Sequence, residues 1–242
     1  MIKFSIITVC LNSEKTIKRC LESVLNQSFK NFEHIVIDGV SNDRTLQIVR
    51  EYEGVLCVSE KDKGIYDAMN KGANLAKGEF ILFLNSDDEL LPDFLFECDK
   101  LIDGVDFISS GINMVFTDRV SKWIPKALSN HNFIWRMPMP HAGLIVKEAA
   151  FKEIGGFDLN FKISSDFDFI VKLLKGNYLG IYNDKSLFNF YMGGISQNFD
   201  VIKENHKVRV KHFDNMAYIY CAYFLDYLRY LKYQVNSILG KN

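Results

Sequence analysis

Two adjacent aspartates, Asp87 and Asp88, follow the apolar run 79–84 and could hold a divalent cation. A cation that bridges a diphosphate prefers oxygen ligands, and one or two protein carboxylates suffice because phosphates and waters complete its coordination. An acidic pair in a loop is more often simply solvated, so this pair alone is weak evidence for a metal. Its position beside the other polar strand ends makes it a candidate site for a divalent cation.

The segment 164–168 places two more carboxylates, Asp166 and Asp168, at the predicted start of a helix. Acidic side chains in a first helical turn complement the helix dipole, which would give either residue a purely structural role. A carboxylate fixed opposite an acceptor hydroxyl could instead act as a general base. The residues themselves leave both roles open.

Polar residues also follow the first two predicted strands. Thr8 and Asn12 lie around the end of the run 4–9, and Asp38 ends the run 33–38. A carboxylate at the end of a second strand can accept hydrogen bonds from a ribose or a base. The chain has no GxGxxG after its first strand and no GxxxxGK[ST] loop, which argues against a dinucleotide-binding Rossmann site and a P-loop.

The stretch 60–72 carries charged residues into the start of another predicted helix. Asp62 could simply cap that helix, and Lys63 could simply be solvated. Alternatively, the helix start and Lys63 face a crevice, where backbone N–H groups and a cation suit a phosphate. A lone histidine such as His141 is more often packed or at the surface than a ligand.

The elements that must position these groups alternate along the first hundred residues. Strands are predicted over 4–9, 33–38, 55–59 and 79–84, and helices are predicted to begin at Ser13, Asp43 and Gly64. Such alternation is typical of an α/β fold with a mostly parallel sheet and helices on both faces. Because ligands bind beyond the carboxyl ends of such strands, the polar groups should gather at one edge.

The second half is predicted to be less regular. Residues 104–146 should hold strands and a loop rich in Trp, Met and Pro. Helices are predicted over Val146–Ile154 and Asp166–Leu174, with a hinge or plain turn at 193–196. From Val201 the pattern predicts helix almost to the end. The segment 213–239 has the pattern of an amphipathic helix. Its apolar side could pack on the domain, pair with a second subunit as a homodimer, or lie on a membrane.

The composition argues against several classes of protein. The chain has 242 residues, which is enough for one α/β domain with an appendage. Its net charge is −1, and it lacks the basic patch of a nucleic-acid-binding protein. Five scattered cysteines without a CxxC pair indicate reduced thiols in a cytoplasmic setting. No run approaches the roughly 20 apolar residues of a membrane span, and the first apolar run lacks a signal-peptide cleavage site.

Six blocks of the chain, in order and with matching spacing over about residues 1–200, resemble glycosyltransferase family 2. The blocks are 8–12, 38–45, 62–72, 83–88, 140–141 and 155–158, the last followed by 166–168. Among members of the family, the chain is most similar to bacterial polysaccharide-assembly enzymes of the colanic-acid type. One such block would be weak evidence, whereas six in order are strong.

The resemblance implies a GT-A fold, with a Rossmann-like half for the nucleotide sugar at 1–103, an acceptor-side half at 104–200 and a helical extension at 201–242. It implies a metal-dependent, inverting transfer of a sugar from a nucleoside-diphosphate sugar, expected to be a UDP-sugar, to a hydroxyl of a saccharide or lipid-linked saccharide. The expected location is the cytoplasm, at or near the inner face of the membrane.

The resemblance also assigns roles to individual residues. Donor contacts are expected from Thr8, Asn12, Asp38, Lys63, Asn70, Asn85 and Ser86; ligands to Mn²⁺ or Mg²⁺ from Asp87 and Asp88; the catalytic base is Asp166; and an acceptor or phosphate contact is expected from His141. Three positions depart from the family's pattern. Gly39 stands where many members have the second aspartate of an Asp-Asp pair after the second strand. Asn85 stands where the family's Asp-x-Asp motif has its first aspartate, and Ser165 stands where the family has an acid before the catalytic base.

Rival functions make different predictions. A non-catalytic domain of the same fold would bind a donor without turnover, and Asp87 and Asp166 argue against it. A nucleotidyltransferase would generally have a glycine-rich basic loop after its first strand, which is absent. A glycosidase would also use two carboxylates, but it would not need polar groups at three strand ends.

Overall fold

The computed structural model of the chain describes residues 1–126, 134–193 and 199–238. Its strands are β1 (Phe4–Cys10), β2 (Phe32–Asp38), β3 (Val55–Ser59), β4 (Phe80–Asn85), β5 (Glu89–Leu90), β6 (Phe107–Val115), β7 (Val120–Trp123), β8 (Leu144–Lys147) and β9 (Gly180–Tyr191). Its helices are α1 (Ile17–Leu25), α2 (Thr45–Val49), α3 (Ile65–Leu75), α4 (Phe94–Asp99), α5 (Glu148–Ile154), α6 (Ser165–Lys175), α7 (Phe199–His212) and α8 (Met216–Ile238). Residues 127–133 of the predicted loop and 194–196 of the predicted hinge lie outside the described residues.

The first four strands form the parallel half of the sheet, in the order β3-β2-β1-β4. In this register Cys10 at the end of β1 pairs with Asp38, and Val9 pairs with Asn85. Strand β1 is buried along its whole length because helices cover both faces of the sheet. The register brings the predicted polar strand ends to one edge, as the alternation of elements predicts.

The second half of the sheet is mixed, because β8 runs antiparallel to β4 and β6. A helix over Val146–Ile154 is predicted from the sequence, but the structure has β8 first and α5 only from Glu148. The reason is tertiary: Leu144, Ile145 and Val146 fill the gap between two strands and are almost completely buried. Strand β9 runs parallel to β6, and its far end pairs with β5 directly after the Asp87-Asp88 pair.

Apolar side chains pack on both faces of the sheet. Along β1, Ile7 and Val9 point to the face covered by α3, α5 and α6, whereas Phe4 and Ile6 point to the face covered by α1 and α4. Helix α3 lies so close to the sheet that a Cβ on Gly72 would be 2.3 Å from Ile7 Cγ2. This tight packing fixes where the start of α3 stands over the strand ends.

The C-terminal region forms two helices, α7 and α8, where continuous helix is predicted from the sequence. The helix is interrupted at 213–215. Asn215 Oδ1 accepts a hydrogen bond from the N–H of Tyr218 at 3.1 Å in the first turn of α8. The buried Arg209 joins the two helices through an ion pair with Asp226 at 2.7 Å. In the described part of the chain, no helix is both long and apolar enough to span a bilayer.

Candidate active site

Asp38 is fully buried, and its carboxylate accepts hydrogen bonds from within the protein. The donors include the N–H groups of Val40 and Ser41, each at 3.1 Å, and the hydroxyls of Ser59 at 2.6 Å and Ser41 at 2.5 Å. A direct contact with a ribose or base would have to replace some of these bonds. Donor binding by Asp38 stays a prediction, and the geometry favours an indirect role in shaping the turn that follows β2.

Thr8 is also fully buried, and its hydroxyl lies 2.9 Å from His34 Nε2 beneath the sheet edge. Burial lowers the pKa of His34 to about 4, so this ring is neutral at physiological pH. Because alternate residues of a strand point to opposite faces, the place of Thr8 in β1 decides which face of the sheet its side chain points to. Its predicted contact with the donor stays a prediction.

Three loops meet at the sheet edge through short polar contacts. The N–H of Asn12 donates to Ser41 Oγ at 2.8 Å, and Asn12 Oδ1 accepts from the N–H of Asn42 at 2.8 Å. The hydroxyls of Ser13 and Ser86 are 2.8 Å apart and join the loop after β1 to the loop after β4. The sequence-predicted residues Asn12 and Ser86 thus help to hold the three strand ends together.

A further carboxylate, that of Asp62, stands beside Gly39. Asp62 accepts a hydrogen bond from the N–H of Gly64 through Oδ1. Its Oδ2 lies 2.6 Å from where a Cβ on Gly39 would sit, so Asp62 occupies the space that a side chain at residue 39 would need. Lys63 is exposed next to it and donates its backbone N–H to Asp67. The sequence suggests Asp62 only as a cap, and only the structure shows this proximity.

The two adjacent aspartates at the end of β4 have different surroundings. Asp88 is buried, and it accepts hydrogen bonds from Asn85 Nδ2 at 3.2 Å and from the N–H of Tyr191 at 3.0 Å. Burial, followed by the charge of Asp87, raises the pKa of Asp88 to about 8. Asp87 is half-buried, and its carboxylate makes no hydrogen bond or ion pair with the described residues. Asp87 is therefore the free carboxylate of the pair.

The oxygen atoms available here suit a divalent cation. Asn85 Oδ1 is buried and has no hydrogen-bond partner among the described residues. Together with the Asp87 carboxylate it offers two hard oxygen ligands, the type that Mg²⁺ and Mn²⁺ accept. The described part of the chain holds no cluster of three or more His, Cys, Asp or Glu side chains arranged for a metal. A cation at this edge would therefore depend on a bound diphosphate and water for its remaining ligands.

Arg19 is a cation near this loop that sequence reasoning missed. Its guanidinium donates to the backbone carbonyl oxygen of Asp87 at 2.5 Å and stacks 3.7 Å from the ring centroid of Tyr191. Arg19 lies on α1, so it links this helix to the aspartate loop and to the end of β9. No sequence pattern around Arg19 marks this position, because it depends on how α1 packs.

The structure distinguishes the two acids at the start of α6. Asp168 is fully buried and paired with Lys172 and Lys211, each at 2.8 Å, and with His212 at 2.7 Å. Burial acts to raise the pKa of Asp168, but the hydrogen bonds from these three partners outweigh it and lower the pKa. Asp168 therefore joins α6 to α7 and is not available as a base.

Asp166 has a different environment on the same helical turn. Its Oδ1 accepts the N–H of Phe167 at 2.8 Å and lies 3.0 Å from the hydroxyl of Tyr66. Its Oδ2 makes no hydrogen bond with the described residues. Burial raises the pKa of Asp166, and the nearby His141 opposes that effect. A half-buried carboxylate with a raised pKa and one free oxygen has the properties that a general base requires.

His141 lies against an aromatic cluster next to this acid. Its ring stacks on Phe83 at 5.9 Å and meets the edge of Phe157 at 5.5 Å, measured between ring centroids. Both ring nitrogens are buried without a hydrogen-bond partner among the described residues. Burial lowers the pKa of His141. A buried, unpaired imidazole can bind a hydroxyl or a phosphate oxygen, which keeps the predicted acceptor or phosphate contact open.

Helix α3 connects the edge where β1, β2 and β4 end to the loop before α6. Asn70 is predicted to contact the donor, but Nδ2 donates to the carbonyl of Phe157 and Oδ1 accepts its N–H, both at 2.9 Å. Contact with the donor would break this pair. Tyr66 lies one turn earlier on the same face and reaches Asp166. Sequence reasoning missed Tyr66, although its i, i+4 spacing with Asn70 is a signal that could have revealed a shared face.

Comparison with known proteins places these features in a family. Residues 5–162 match the family model described as "Glycosyl transferase family 2". A "PGL/p-HBAD biosynthesis glycosyltransferase" of Mycobacterium bovis (strain BCG / Pasteur 1173P2) is 30% identical over 181 residues, covering 70% of this chain and 68% of that protein. An uncharacterised glycosyltransferase of Methanocaldococcus jannaschii is 25% identical over 244 residues, covering 90% of this chain and 83% of that protein.

Solved structures show the same fold. The crystal structure of S. aureus TarS 1-349 in complex with UDP superposes with a TM-score of 0.69 at 25% identity, covering 90% of this chain and 68% of that one. The mannosyltransferase PcManGT from Pyrobaculum calidifontis, in complex with GDP-Man and Mn²⁺, gives a TM-score of 0.67 at 17% identity, covering 93% and 68%. The predicted GT-A fold is confirmed, and the chain belongs to glycosyl transferase family 2.

Proposed function

We propose that this chain is an inverting glycosyltransferase that moves a sugar from a UDP-sugar to an acceptor hydroxyl, with Asp166 as the base. The observation that carries the proposal is the contrast between the two acids of α6. Asp168 is paired with three cationic or titratable groups, whereas Asp166 keeps Oδ2 unpaired. TarS, which is 25% identical, has been crystallised with UDP and with UDP-GlcNAc, and this supports a uridine donor.

In the proposed reaction, Asp166 Oδ2 takes the proton of the acceptor hydroxyl. The acceptor oxygen forms a bond to the anomeric carbon from the side opposite the diphosphate, and the bond from that carbon to the phosphate oxygen breaks. The electron pair of the broken bond leaves with the nucleoside diphosphate, so the configuration of the carbon is inverted. No enzyme-bound sugar is formed.

On the donor side, Asp87 and Asn85 Oδ1 would hold the divalent cation. When bound, such a cation neutralises the charge that develops on the departing diphosphate. Ser86, Asn12 and Asp38 act by keeping the three strand ends in register, and Asp62 and Lys63 stand at the start of α3, where they can contact the nucleotide.

Isothermal titration with UDP and with GDP, each with and without Mn²⁺, tests the donor site. We expect UDP to bind in the presence of Mn²⁺ and Asp87→Ala to remove the metal-dependent part. Asp103→Ala, which removes an exposed acid in the loop before β6, is the matched control and should bind like the wild type. Binding of GDP but not of UDP would show that the donor is a GDP-sugar. Binding of neither nucleotide by folded protein would refute the proposed donor site.

Transfer activity separates this proposal from its rivals. A non-catalytic domain would bind UDP without consuming a UDP-sugar, and a nucleotidyltransferase would release pyrophosphate from a nucleoside triphosphate. We expect neither result. Instead, Asp166→Asn should bind UDP with nearly unchanged affinity and lose turnover, since it removes only the proton acceptor. Turnover at the wild-type rate in this variant would show that Asp166 is not the base.

The surface of α8 supports an acceptor that is presented at a membrane. Nine side chains of α8 are large, apolar or aromatic, and exposed: Met216, Tyr218, Tyr220, Phe224, Leu225, Tyr227, Leu228, Leu231 and Val235. Two of them, Tyr220 and Tyr227, also contact rings of α7. The acid of this helix, Asp226, is paired with Arg209 and Arg229, and Lys203 and Lys207 are exposed on the adjacent α7. An apolar face flanked by cations suits an anionic lipid surface.

We further propose that the enzyme acts in the cytoplasm, at the inner face of the membrane, on a saccharide or lipid-linked saccharide in the assembly of cell-surface polysaccharide. Flotation with phosphatidylglycerol vesicles tests this placement. We expect Phe224→Asp to remain with the soluble fraction, while Val120→Asp, at an exposed apolar site on β7, floats like the wild type. A wild-type protein that stays unbound but forms a dimer in solution would instead assign α8 to a second copy of the chain.

A further inference from the structure

The hydroxyl of Tyr66 lies between two oxygen atoms that both accept hydrogen bonds. Its Oη is 2.7 Å from the carbonyl oxygen of Ile163 and 3.0 Å from Asp166 Oδ1. A phenol carries a single proton, so Tyr66 donates to only one of these acceptors at a time. When Asp166 is ionised, its carboxylate is the stronger acceptor, because hydrogen bonds to charged groups are stronger than those between neutral groups.

We propose that Tyr66 is a positioning residue whose O–H group turns between Asp166 Oδ1 and the Ile163 carbonyl as Asp166 loses and gains its proton. This inference rests on the proposed function, in which Asp166 is the base. Before transfer, Tyr66 donates to Oδ1 and stabilises the ionised carboxylate, with Oδ2 left for the acceptor. After Oδ2 has taken the proton, Tyr66 donates to Ile163, so its own proton has an acceptor in both states.

The surroundings of Tyr66 hold both acceptors in place. The carboxylate of Glu204 on α7 accepts three consecutive backbone N–H groups, those of Lys162, Ile163 and Ser164, at 2.8–3.0 Å. This fixes the loop that carries the Ile163 carbonyl. The ring of Tyr66 is 7% exposed and packs 5.2 Å from the ring of Phe157. The hydroxyl therefore moves by rotation about its own C–O bond, while the acceptors stay in place.

The electrostatic environment keeps Tyr66 a donor. Burial and the charge of Asp166 raise its pKa well above the usual value, and Glu204 acts in the same direction. His141 also faces Asp166, while Asp168 on the same helix is paired with cations of its own. Tyr66 thus acts on Asp166 through a hydrogen bond and not through a charge of its own.

Carbon-13 NMR of protein labelled at the aspartate carboxyl carbons tests this inference without any substrate. Asp166→Asn identifies the Asp166 signal, and a pH titration gives its pKa. Tyr66→Phe removes the donor to the ionised form, so we expect the pKa of Asp166 to rise by about one unit. Tyr182→Phe, which removes a hydroxyl from a half-buried ring on β9, is the matched control and should leave it unchanged.

An unchanged pKa of Asp166 in folded Tyr66→Phe would overturn the inference. If that variant does not fold, uniform 3-fluorotyrosine labelling replaces it. Fluorination makes the phenol a stronger donor, so the pKa of Asp166 should then fall, and a pKa that stays constant would also overturn the inference. Failure of the proposed function would be seen separately, as wild-type turnover in Asp166→Asn, whatever the NMR titration gives.

Discussion

Asn70 and Phe157 form a two-way hydrogen-bonded pair, in which the side-chain amide of Asn70 both donates to and accepts from the backbone of Phe157. The pair ties α3, which begins near the ends of β1 and β2, to the loop that leads into Asp166. The neighbouring Gly156 has a φ of +66°, and a Cβ there would lie 2.8 Å from Asn70 Oδ1. The loop thus depends on a glycine because the amide lies directly against the chain.

Asn70→Ala should destabilise the protein more than it weakens donor binding. The substitution leaves the N–H and carbonyl of Phe157 without partners, which costs about 1–3 kcal/mol per buried group. Urea unfolding measures this loss, and Asn74→Ala on the exposed side of α3 is the matched control. If Asn70→Ala kept full stability but lost UDP affinity, Asn70 would be a direct donor contact after all.

Asp168→Asn should loosen the junction between α6 and α7. Removing one buried charge leaves Lys172, Lys211 and His212 without their common partner, and we expect the free energy of unfolding at pH 7 to fall by about 3 kcal/mol. Because the folded-state pKa of Asp168 is lowered, its contribution is present above the unfolded value of about 4 and is lost as the pH falls through the folded value.

The difference in unfolding free energy between wild type and Asp168→Asn should therefore shrink as the pH falls below about 4. Urea unfolding at pH 7 and at lower pH measures it, with Asp103→Asn as an exposed control. A difference that stayed constant down to low pH would mean that the lost stability comes from packing and not from the charge.

A side chain at position 39 should interfere with Asp62. The Cβ of Gly39→Ala would lie 2.6 Å from Asp62 Oδ2, so the carboxylate must move. We expect Gly39→Ala to weaken UDP binding by about tenfold, and Asp62→Ala to remove the clash. In a double-mutant cycle measured by titration calorimetry, Gly39→Ala should then have little further effect in an Asp62→Ala background. Additive losses would show that the two residues act independently.

The parallel half of the sheet could be predicted from sequence, since each strand there is a short apolar run followed by a polar residue. The start of α5 could not, because the sequence predicts helix from Val146, whereas Val146 and Lys147 belong to β8, which pairs with β4 and β6. The same limit applies to the site. Its loops were located by their motifs, but which of Asp166 and Asp168 is free depends on Lys211 and His212, more than forty residues away.

Asp87 and Asp88 should respond to substitution in opposite ways. Asp87→Ala removes a carboxylate that has no partner among the described residues, so we expect an unchanged Tm and loss of Mn²⁺-dependent UDP binding. Asp88→Ala leaves the N–H of Tyr191 and the amide of Asn85 unpaired and should lower the Tm, by an amount equivalent to about 2 kcal/mol. Thermal unfolding and UDP titration on both variants separate the two roles.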